Sequence, residues 1–146
     1  MPIKHHSNHH KGFTLLEVMI SVFILGVGLL GLAGLQVTSL KSNHSAQLRT
    51  EAIIHIYDIV ERMRINKAVA QTGGYDIAIG DAAPATSSIV DTDRAAWKAA
   101  LSSALPNGDG AIATDGNDIT TITIQWDDSR GAGGSSTQQF SISSEL

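Results

Sequence analysis

The sequence predicts an α+β protein in which one long N-terminal helix, first apolar and then amphipathic, packs on a small antiparallel sheet. Three observations lead to this prediction. An apolar segment of membrane-spanning length lies at residues 13–35, an apolar stripe with helical spacing continues to Met63, and alternating patterns typical of strands fill the tail. No proline interrupts the long helix, since none occurs between Pro2 and Pro84.

The apolar segment at residues 13–35 is long enough to cross a membrane. Its only polar side chains are those of Thr14, Glu17 and Ser21. At about 1.5 Å per residue the segment measures roughly 34 Å as a helix, whereas the hydrocarbon core of a bilayer is about 30 Å thick. We therefore predict a membrane-spanning helix.

The flanks of this segment predict its orientation. The preceding residues 1–12 contain Lys4 and Lys11 and no acidic residue, so the positive-inside rule places the N terminus in the cytoplasm and the rest of the chain across the membrane. A removable secretory signal fits poorly, because Glu17 interrupts the apolar core and residues 37–39 form a poor cleavage site.

Glu17 is the charged residue of the span, and a charge in a spanning helix is by default a functional hypothesis. The string Lys11-Gly12-Phe13-Thr14-Leu15-Leu16-Glu17-Val18 resembles the class III signal of type IV pilins and pseudopilins. The resemblance implies that a prepilin peptidase cuts after Gly12 and that Phe13 becomes the N-methylated first residue of the mature chain. It also implies that Glu17 pairs, in an assembled filament, with the N-terminal amine of a neighbouring subunit. A simple anchor in which Glu17 reaches the interface stays open as an alternative.

The same resemblance implies the ladle-shaped type IV pilin fold and four regions. These are a leader peptide at 1–12, the transmembrane half of the helix at 13–35, its amphipathic periplasmic half at 36–71, and a periplasmic α/β head with a C-terminal antiparallel sheet at 72–146. Four glycines in or next to the span, at positions 26, 28, 31 and 34, predict either a close-packing stripe or a point where the helix stretches in a filament.

The second half of the helix presents an apolar stripe at steps of four, four, three and four residues. Its members are Leu48, Ala52, Ile56, Ile59 and Met63. We expect the helix to extend from about residue 14 to about residue 68, with this stripe facing the sheet, because a lone sheet of this size cannot bury its own apolar face.

The head pattern predicts a short strand at 75–79, a helix at 91–105 and strands at 111–114, 121–126 and 140–143. We expect Thr92 or Asp93 to cap the helix and Pro106-Asn107-Gly108 to end it. The apolar face of the helix is predicted from five residues, Ala96, Trp97, Ala100, Leu101 and Ala104. Trp97 is expected to be a core anchor rather than a ligand platform.

Four further strings resemble the minor pilins called type IV pilus modification protein PilV. They are residues 28–36, 61–66, 105–110 and 124–130. The resemblance implies a non-enzymatic minor pilin that primes pilus assembly and aids twitching and adhesion, with prepilin peptidase, other minor and major pilins and, before assembly, membrane lipid as partners. It implies an inner-membrane protein with a cytoplasmic N terminus and a periplasmic head, found in the pilus after assembly. A minor pseudopilin of a type II secretion system and a ligand-binding adhesin or DNA-uptake pilin stay open.

Other chemistry finds little support in the residues. Cleavage after Gly12 would remove Lys4 and Lys11 and leave eight basic against fourteen acidic residues in the mature chain. This balance disfavours nucleic acid as a partner. The chain contains no cysteine, and we expect neither a catalytic site, a metal nor a cofactor.

The histidines and carboxylates give the same expectation. His5, His6, His9 and His10 would leave with the leader, and His44 and His55 lie about 16 Å apart along a helix, too far to share one ion. A calcium loop counted from Asn107 lacks the oxygen ligand and the glycine it needs at 111 and 112. Asp127 and Asp128 are expected to be turn carboxylates, since adjacent strand residues point to opposite faces.

Overall fold

The computed structural model describes residues 12–146 and has the predicted α+β architecture. Its elements are α1 (Leu15–Ile65), α2 (Lys67–Gln71), α3 (Ile89–Ala104), β1 (Asp109–Thr114), β2 (Ile119–Trp126) and β3 (Gln138–Glu145). The strands form one antiparallel sheet in the order β1-β2-β3. The chain divides into two compact units, with the boundary between Thr38 and Ser39.

The long helix is confirmed, and it ends slightly earlier than predicted. Asn66, with φ of −115° and ψ of 43°, interrupts the regular helix after Ile65. The C=O of Asn66 accepts hydrogen bonds from the N–H groups of Val69 and Ala70 at 3.1 Å, which starts the short helix α2. The predicted continuation to residue 68 is therefore split over two helices.

One hydrophobic core holds the second unit together. All five residues of the predicted helix stripe are buried, and they share this core with Ile122, Ile124 and Trp126 of β2. Trp97 is fully buried, and its indole N–H donates to the C=O of His55 on α1 at 3.0 Å. The packing of the sheet against the apolar side of the long helix and the core role of Trp97 are confirmed.

Helix α3 begins before the predicted position. Ser88, in extended conformation, is the N-cap, and its hydroxyl accepts a hydrogen bond from the N–H of Asp91 at 3.1 Å. The Asp91 carboxylate in turn accepts from the hydroxyls of Ser87 and Ser88 at 2.7 and 2.8 Å. Hydrogen bonds lower the pKa of Asp91 to about 2, and they come from the hydroxyl of Ser87, the guanidinium of Arg94 and the hydroxyl of Ser88.

Two further predictions about α3 and its neighbours are corrected. Thr92 and Asp93 are not caps, because Ser88 and Asp91 already close the first turn reciprocally. Ala96 and Ala104 are exposed, so the buried face is narrower than predicted.

The segment at 75–79 forms a single bridge between Ile77 and Ile112 rather than a strand. The side chain of Lys98 holds the region that follows: its ammonium donates to the C=O groups of Ala78 and Asp81 at 3.0 and 2.8 Å. In this region, the bonds from Lys98 take the place of a longer pairing between strands. An alternating sequence pattern does not predict them.

The tail agrees with prediction. β2 and β3 pair residue for residue, from Ile119 opposite Glu145 to Trp126 opposite Gln138. Residues 115–118 form the predicted turn between β1 and β2, in which the Asp115 carboxylate accepts from the N–H groups of Asn117 and Ile119 at 2.9 Å.

Candidate functional site

The start of α1 is organised around Thr14 and Glu17. The hydroxyl of Thr14 accepts a hydrogen bond from the N–H of Glu17 at 3.3 Å, and its C=O accepts from the N–H groups of Glu17 and Val18 at 3.1 and 3.3 Å. Thr14 is thus the N-cap of α1, and Glu17 lies in the first turn, where the helix dipole favours a carboxylate. The Thr-x-x-Glu spacing of a capping box was present in the sequence as a signal for this arrangement, and the sequence interpretation missed it.

The Gly12–Phe13 peptide bond lies outside the helix. Residues 12–14 have no regular secondary structure, and α1 begins at Leu15. The side chain of Phe13 is 82% exposed, and a Cβ added at Gly12 would meet no atom of the described part of the chain within 4 Å. A peptidase that binds its substrate in an extended conformation therefore needs to unwind no helical turn to reach this bond.

The apolar half of α1 exposes its side chains. Of the described residues, 15–65 form the one helix long and apolar enough to cross a membrane, and none of its most apolar 18 residues is buried. A core helix of a soluble protein would bury them, so the surface of this segment matches a lipid or protein environment outside the chain.

The hydroxyl groups along this part of the helix bond within it. The hydroxyl of Ser21 donates to the C=O of Glu17 at 2.7 Å, and that of Thr38 donates to the C=O of Gly34 at 3.1 Å. Such bonds to the carbonyl four residues earlier satisfy a hydroxyl in an apolar surrounding. Among the polar side chains of residues 13–35, Glu17 is the one that carries a charge.

Within residues 12–146, the four glycines of this segment have no packing role. Among these residues, a Cβ added at Gly26, Gly28, Gly31 or Gly34 would meet no atom within 4 Å. Both interpretations from the sequence, close packing against another helix and local stretching, concern events between chains, and both stay predictions.

The comparison with known families identifies this segment. Residues 7–33 match the family described as the prokaryotic N-terminal methylation motif. The N-terminal segment therefore resembles a prepilin methylation motif. It indicates a pilin-like protein that is processed by a prepilin peptidase in a type IV pilus or a related system. A search of curated proteins and a search of solved structures each gave no match to the chain.

The prepilin motif covers less than a fifth of the chain, and three of the other strings, at 61–66, 105–110 and 124–130, lie beyond it. The string at 61–66 joins α1 to α3: the guanidinium of Arg62 contacts Asp58 at 3.0 Å and Asp93 at 3.1 Å. Asp93 also accepts from the hydroxyl of the buried Tyr75 at 2.9 Å. Hydrogen bonds to Asp58 and Asp93 raise the pKa of Arg62, while burial, above other causes, raises the pKa of Tyr75.

The string at 105–110 ends α3 and opens β1, as the predicted Pro-Asn-Gly stop requires. Asn107 takes a left-handed conformation, with φ of 50°, and the N–H of Gly108 donates to the C=O of Leu105 at 3.0 Å. Asp109 forms an ion pair at 2.8 Å with Lys98, whose side chain is only 7% exposed. Gly110 lies against Trp97 so closely that a Cβ would overlap the ring.

The string at 124–130 contains the two aspartates in different environments. Asp127 is a turn carboxylate, as predicted, and accepts from the N–H of Ser129 at 2.9 Å. Asp128 is 6% exposed and accepts from the hydroxyl of Ser45 on α1 at 3.0 Å, a contact that sequence reasoning missed. Ser45 and Asp128 are 83 residues apart, so no local pattern announces the contact.

The predicted site residues divide into two groups. Phe13 and Glu17 lie four residues apart at the start of α1, next to Gly12. His44 is exposed and His55 is half-buried, and the histidines of the leader lie outside the described residues. Among residues 12–146, no group of three or more His, Asp or Glu side chains is placed to hold a metal ion.

Proposed function

We propose that the chain is a non-enzymatic minor pilin that takes part in the assembly and priming of a type IV pilus. The observation that carries this proposal is the position of the prepilin motif: a non-helical Gly12–Phe13 bond stands directly before an exposed apolar helix. In this proposal the apolar helix holds the chain in the membrane first and joins the helices of other pilins afterwards.

Within this proposal three residues have defined roles. Prepilin peptidase cuts after Gly12, the new N terminus at Phe13 is methylated, and Glu17 pairs with the N-terminal amine of a neighbouring subunit. The pairing is supported by the solvent-exposed position of Glu17 in the first turn of α1, within reach of another chain. In a low-dielectric filament interior, two opposite charges attract strongly, which offsets the cost of burying each of them.

The minor-pilin role and the PilV branch are supported by the head strings and by composition. The strings at 61–66 and 124–130 supply contacts between α1 and the head, and the string at 105–110 supplies an ion pair within the head. A major pilin usually has a C-terminal disulfide loop, and this chain contains no cysteine. A minor pseudopilin of a type II secretion system shares everything in the N-terminal segment, so a deletion strain distinguishes the two: loss of pili supports our proposal, and loss of secretion with normal pili supports the pseudopilin.

The proposed location follows from the same segment. The leader carries Lys4 and Lys11, the next 23 residues span the inner membrane, and the head occupies the periplasm until the subunit enters a pilus. Region boundaries at 12/13, 35/36 and 71/72 belong to this proposal.

The deciding experiment is intact-mass and N-terminal peptide analysis of the protein extracted from membranes, after co-expression with its own prepilin peptidase. A mature chain that begins at methylated Phe13 supports the proposal. A chain that still begins at Met1, while the same peptidase cleaves a control prepilin, contradicts it. Gly12→Leu is the matched variant and is expected to stay uncleaved, because a bulky side chain at this position blocks the extended scissile segment.

A further inference from the structure

The sheet of the head has two edges, and the chain covers them differently. At the β1 edge, Ile77 exchanges two backbone hydrogen bonds with Ile112, at 3.0 and 2.9 Å, and the Asp76 carboxylate accepts from the N–H of Thr114 at 3.0 Å. The other edge is formed by β3 (Gln138–Glu145). Within residues 12–146, the backbone groups of β3 form hydrogen bonds only with β2 and with two side chains of β3 itself, those of Gln138 and Ser144. Alternate residues of such a strand direct their N–H and C=O groups outwards, so about half of its backbone groups lack a strand partner.

The free β3 edge lacks the usual features that prevent further pairing. Proteins commonly protect an edge strand with lysine, proline, a bulge or a very short length. β3 has eight residues, contains neither lysine nor proline, and pairs with β2 without a bulge. Its only charge is that of Glu145, near its end. The backbone of β3 is therefore able to accept another strand along most of its length.

The inner face of the sheet is incomplete at this edge. Ile122 and Ile124 of β2 are fully buried, whereas their cross-strand neighbours on β3, Ile142 and Phe140, are only half-buried. A further strand with apolar side chains on this face would cover both residues and remove apolar surface from water.

The outer face of the sheet is neutral and hydroxyl-rich on β2 and β3. The hydroxyls of Thr121 and Ser143 lie 2.8 Å apart, as do those of Thr123 and Ser141. An added strand with hydroxyl or amide side chains on this face would continue these cross-strand pairs.

We propose that the β3 edge binds an extended segment of a partner protein as a fourth strand of the sheet. The segment alternates apolar residues, which face Phe140 and Ile142, with hydroxyl or amide residues, which face Ser141 and Ser143. It is neutral or basic where it passes Glu145, because a second carboxylate there would repel the first. The proposal concerns the head and is independent of leader processing and of the pilus assignment.

The test uses a probe with the required alternation. The sequence of β2, residues 119–126, already pairs with β3 in this way, so a peptide with that sequence between pairs of lysines is a suitable strand. Its control is the same peptide N-methylated at the alternate amides that would face β3, so that it cannot form the ladder of hydrogen bonds. Hydrogen exchange of the full chain in detergent micelles is followed residue by residue by NMR.

The expected result is slower exchange at alternate residues of β3, about tenfold when nine-tenths of the protein is bound, with unchanged exchange in β1. Ser143→Lys is expected to weaken binding of the lysine-flanked peptide by at least about tenfold, whereas Thr121→Lys, its cross-strand neighbour on the central strand, changes binding much less. If Ser143→Lys fails to fold, the comparison of the two peptides still decides.

Three outcomes would overturn the proposal. The first is equal protection of β3 by the methylated peptide. The second is protection of β1 with no change in β3. The third is full protection of the outward β3 amides in the free chain together with a dimeric mass, since the edge would then be occupied by a second copy.

Discussion

Replacement of Glu17 by alanine separates its possible roles, and the structure limits what the change does to folding. Glu17 is exposed in the first turn of α1, where a carboxylate contributes about 0.3–1 kcal/mol through the helix dipole. Among residues 12–146, the first buried residue of the core is Leu48, more than eight helical turns after Glu17. We therefore expect Glu17→Ala to leave the free energy of unfolding of the head unchanged within about 0.5 kcal/mol.

The expected effect on filament entry is much larger. If the carboxylate pairs with the amine of a neighbour in an apolar interior, its removal leaves an unpaired buried cation, which costs about 3–5 kcal/mol. That corresponds to a loss of more than about a hundredfold in the equilibrium for incorporation. Glu17→Gln, which retains hydrogen-bonding capacity but not the charge, should lose less.

The assay measures two quantities on the same cells. Intact mass gives the cleaved and methylated fraction in the membrane, and quantitative immunodetection compares the protein in sheared filaments with the total. Ser21→Ala is the matched control, because Ser21 lies one turn further along and its hydroxyl is satisfied by the C=O of Glu17 at 2.7 Å. Normal entry of Glu17→Ala into filaments would refute the pairing, and loss of cleavage would transfer the role of Glu17 to recognition by the peptidase.

Two predictions concern the stability of the head, and urea unfolding of the full chain in micelles, followed by tryptophan fluorescence, measures both. Ile124→Ala should lower the free energy of unfolding by about 2–5 kcal/mol, because Ile124 is fully buried. Its control is Ile119→Ala on the same strand, at a position 41% exposed, which should cost less than about 1 kcal/mol. Equal losses would show that the core is not where we place it. Lys98→Met should cost about 3–5 kcal/mol at pH 7, because it leaves the carboxylate of Asp109 without its cation. Burial raises the pKa of Asp109, but the hydrogen bonds from Lys98 and from two backbone N–H groups lower it by more, so the pKa in the folded state lies below the ordinary value of 3.8. The carboxylate therefore stabilises the fold at pH values above 3.8, and this stabilisation is lost as the pH falls through the pKa of the folded state. The difference in the free energy of unfolding between Lys98→Met and the wild type should therefore become smaller below about pH 3.8. A difference that is independent of pH would exclude the ion pair as its cause.

The parts of the fold that the sequence predicts correctly are those with a strong local period. The stripe of α1 repeats with helical spacing, and each of its members is buried. The alternation around Ile122 and Ile124 likewise predicts both β2 and the face that it buries. In both cases the period of the backbone and the distribution of apolar side chains agree, so local pattern and tertiary packing select the same structure.

The errors arise where several local solutions compete or where distant residues decide. Around the start of α3, Ser88, Thr92 and Asp93 all have side chains that can cap a helix, and the cap was predicted at Thr92 or Asp93; the reciprocal bonds of Ser88 and Asp91 select Ser88 instead. Contacts such as that of Ser45 with Asp128 join residues far apart in sequence, so nothing near either residue predicts them.

The candidate site shows a different kind of ambiguity, in which one residue satisfies two physical requirements. The string that resembles a prepilin signal is also a Thr-x-x-Glu capping pattern, and the structure shows the bond of the Thr14 hydroxyl that this pattern predicts. A carboxylate at position 17 suits both the start of a helix, through the helix dipole, and charge pairing with a neighbouring chain, while the cap bond itself uses the backbone N–H of Glu17. The Glu17→Gln and Glu17→Ala pair is informative for this reason.

The division of the chain also bears on how such a protein selects its partners. Residues 7–33 match a motif shared by prepilin-like proteins in general, so processing and anchoring by themselves give little discrimination between one assembly and another. The side chains that fill the core of the second unit are committed to packing, and its ion pairs, Arg62 with Asp93 and Lys98 with Asp109, hold its own elements together. Of the backbone surfaces in that unit, the β1 edge is bonded to the segment around Ile77, and the β3 edge is open along eight residues. Because a strand edge recognises a partner by hydrogen bonds at every second residue and by the alternation of its side chains, it offers this chain a discriminating surface that the shared N-terminal motif does not.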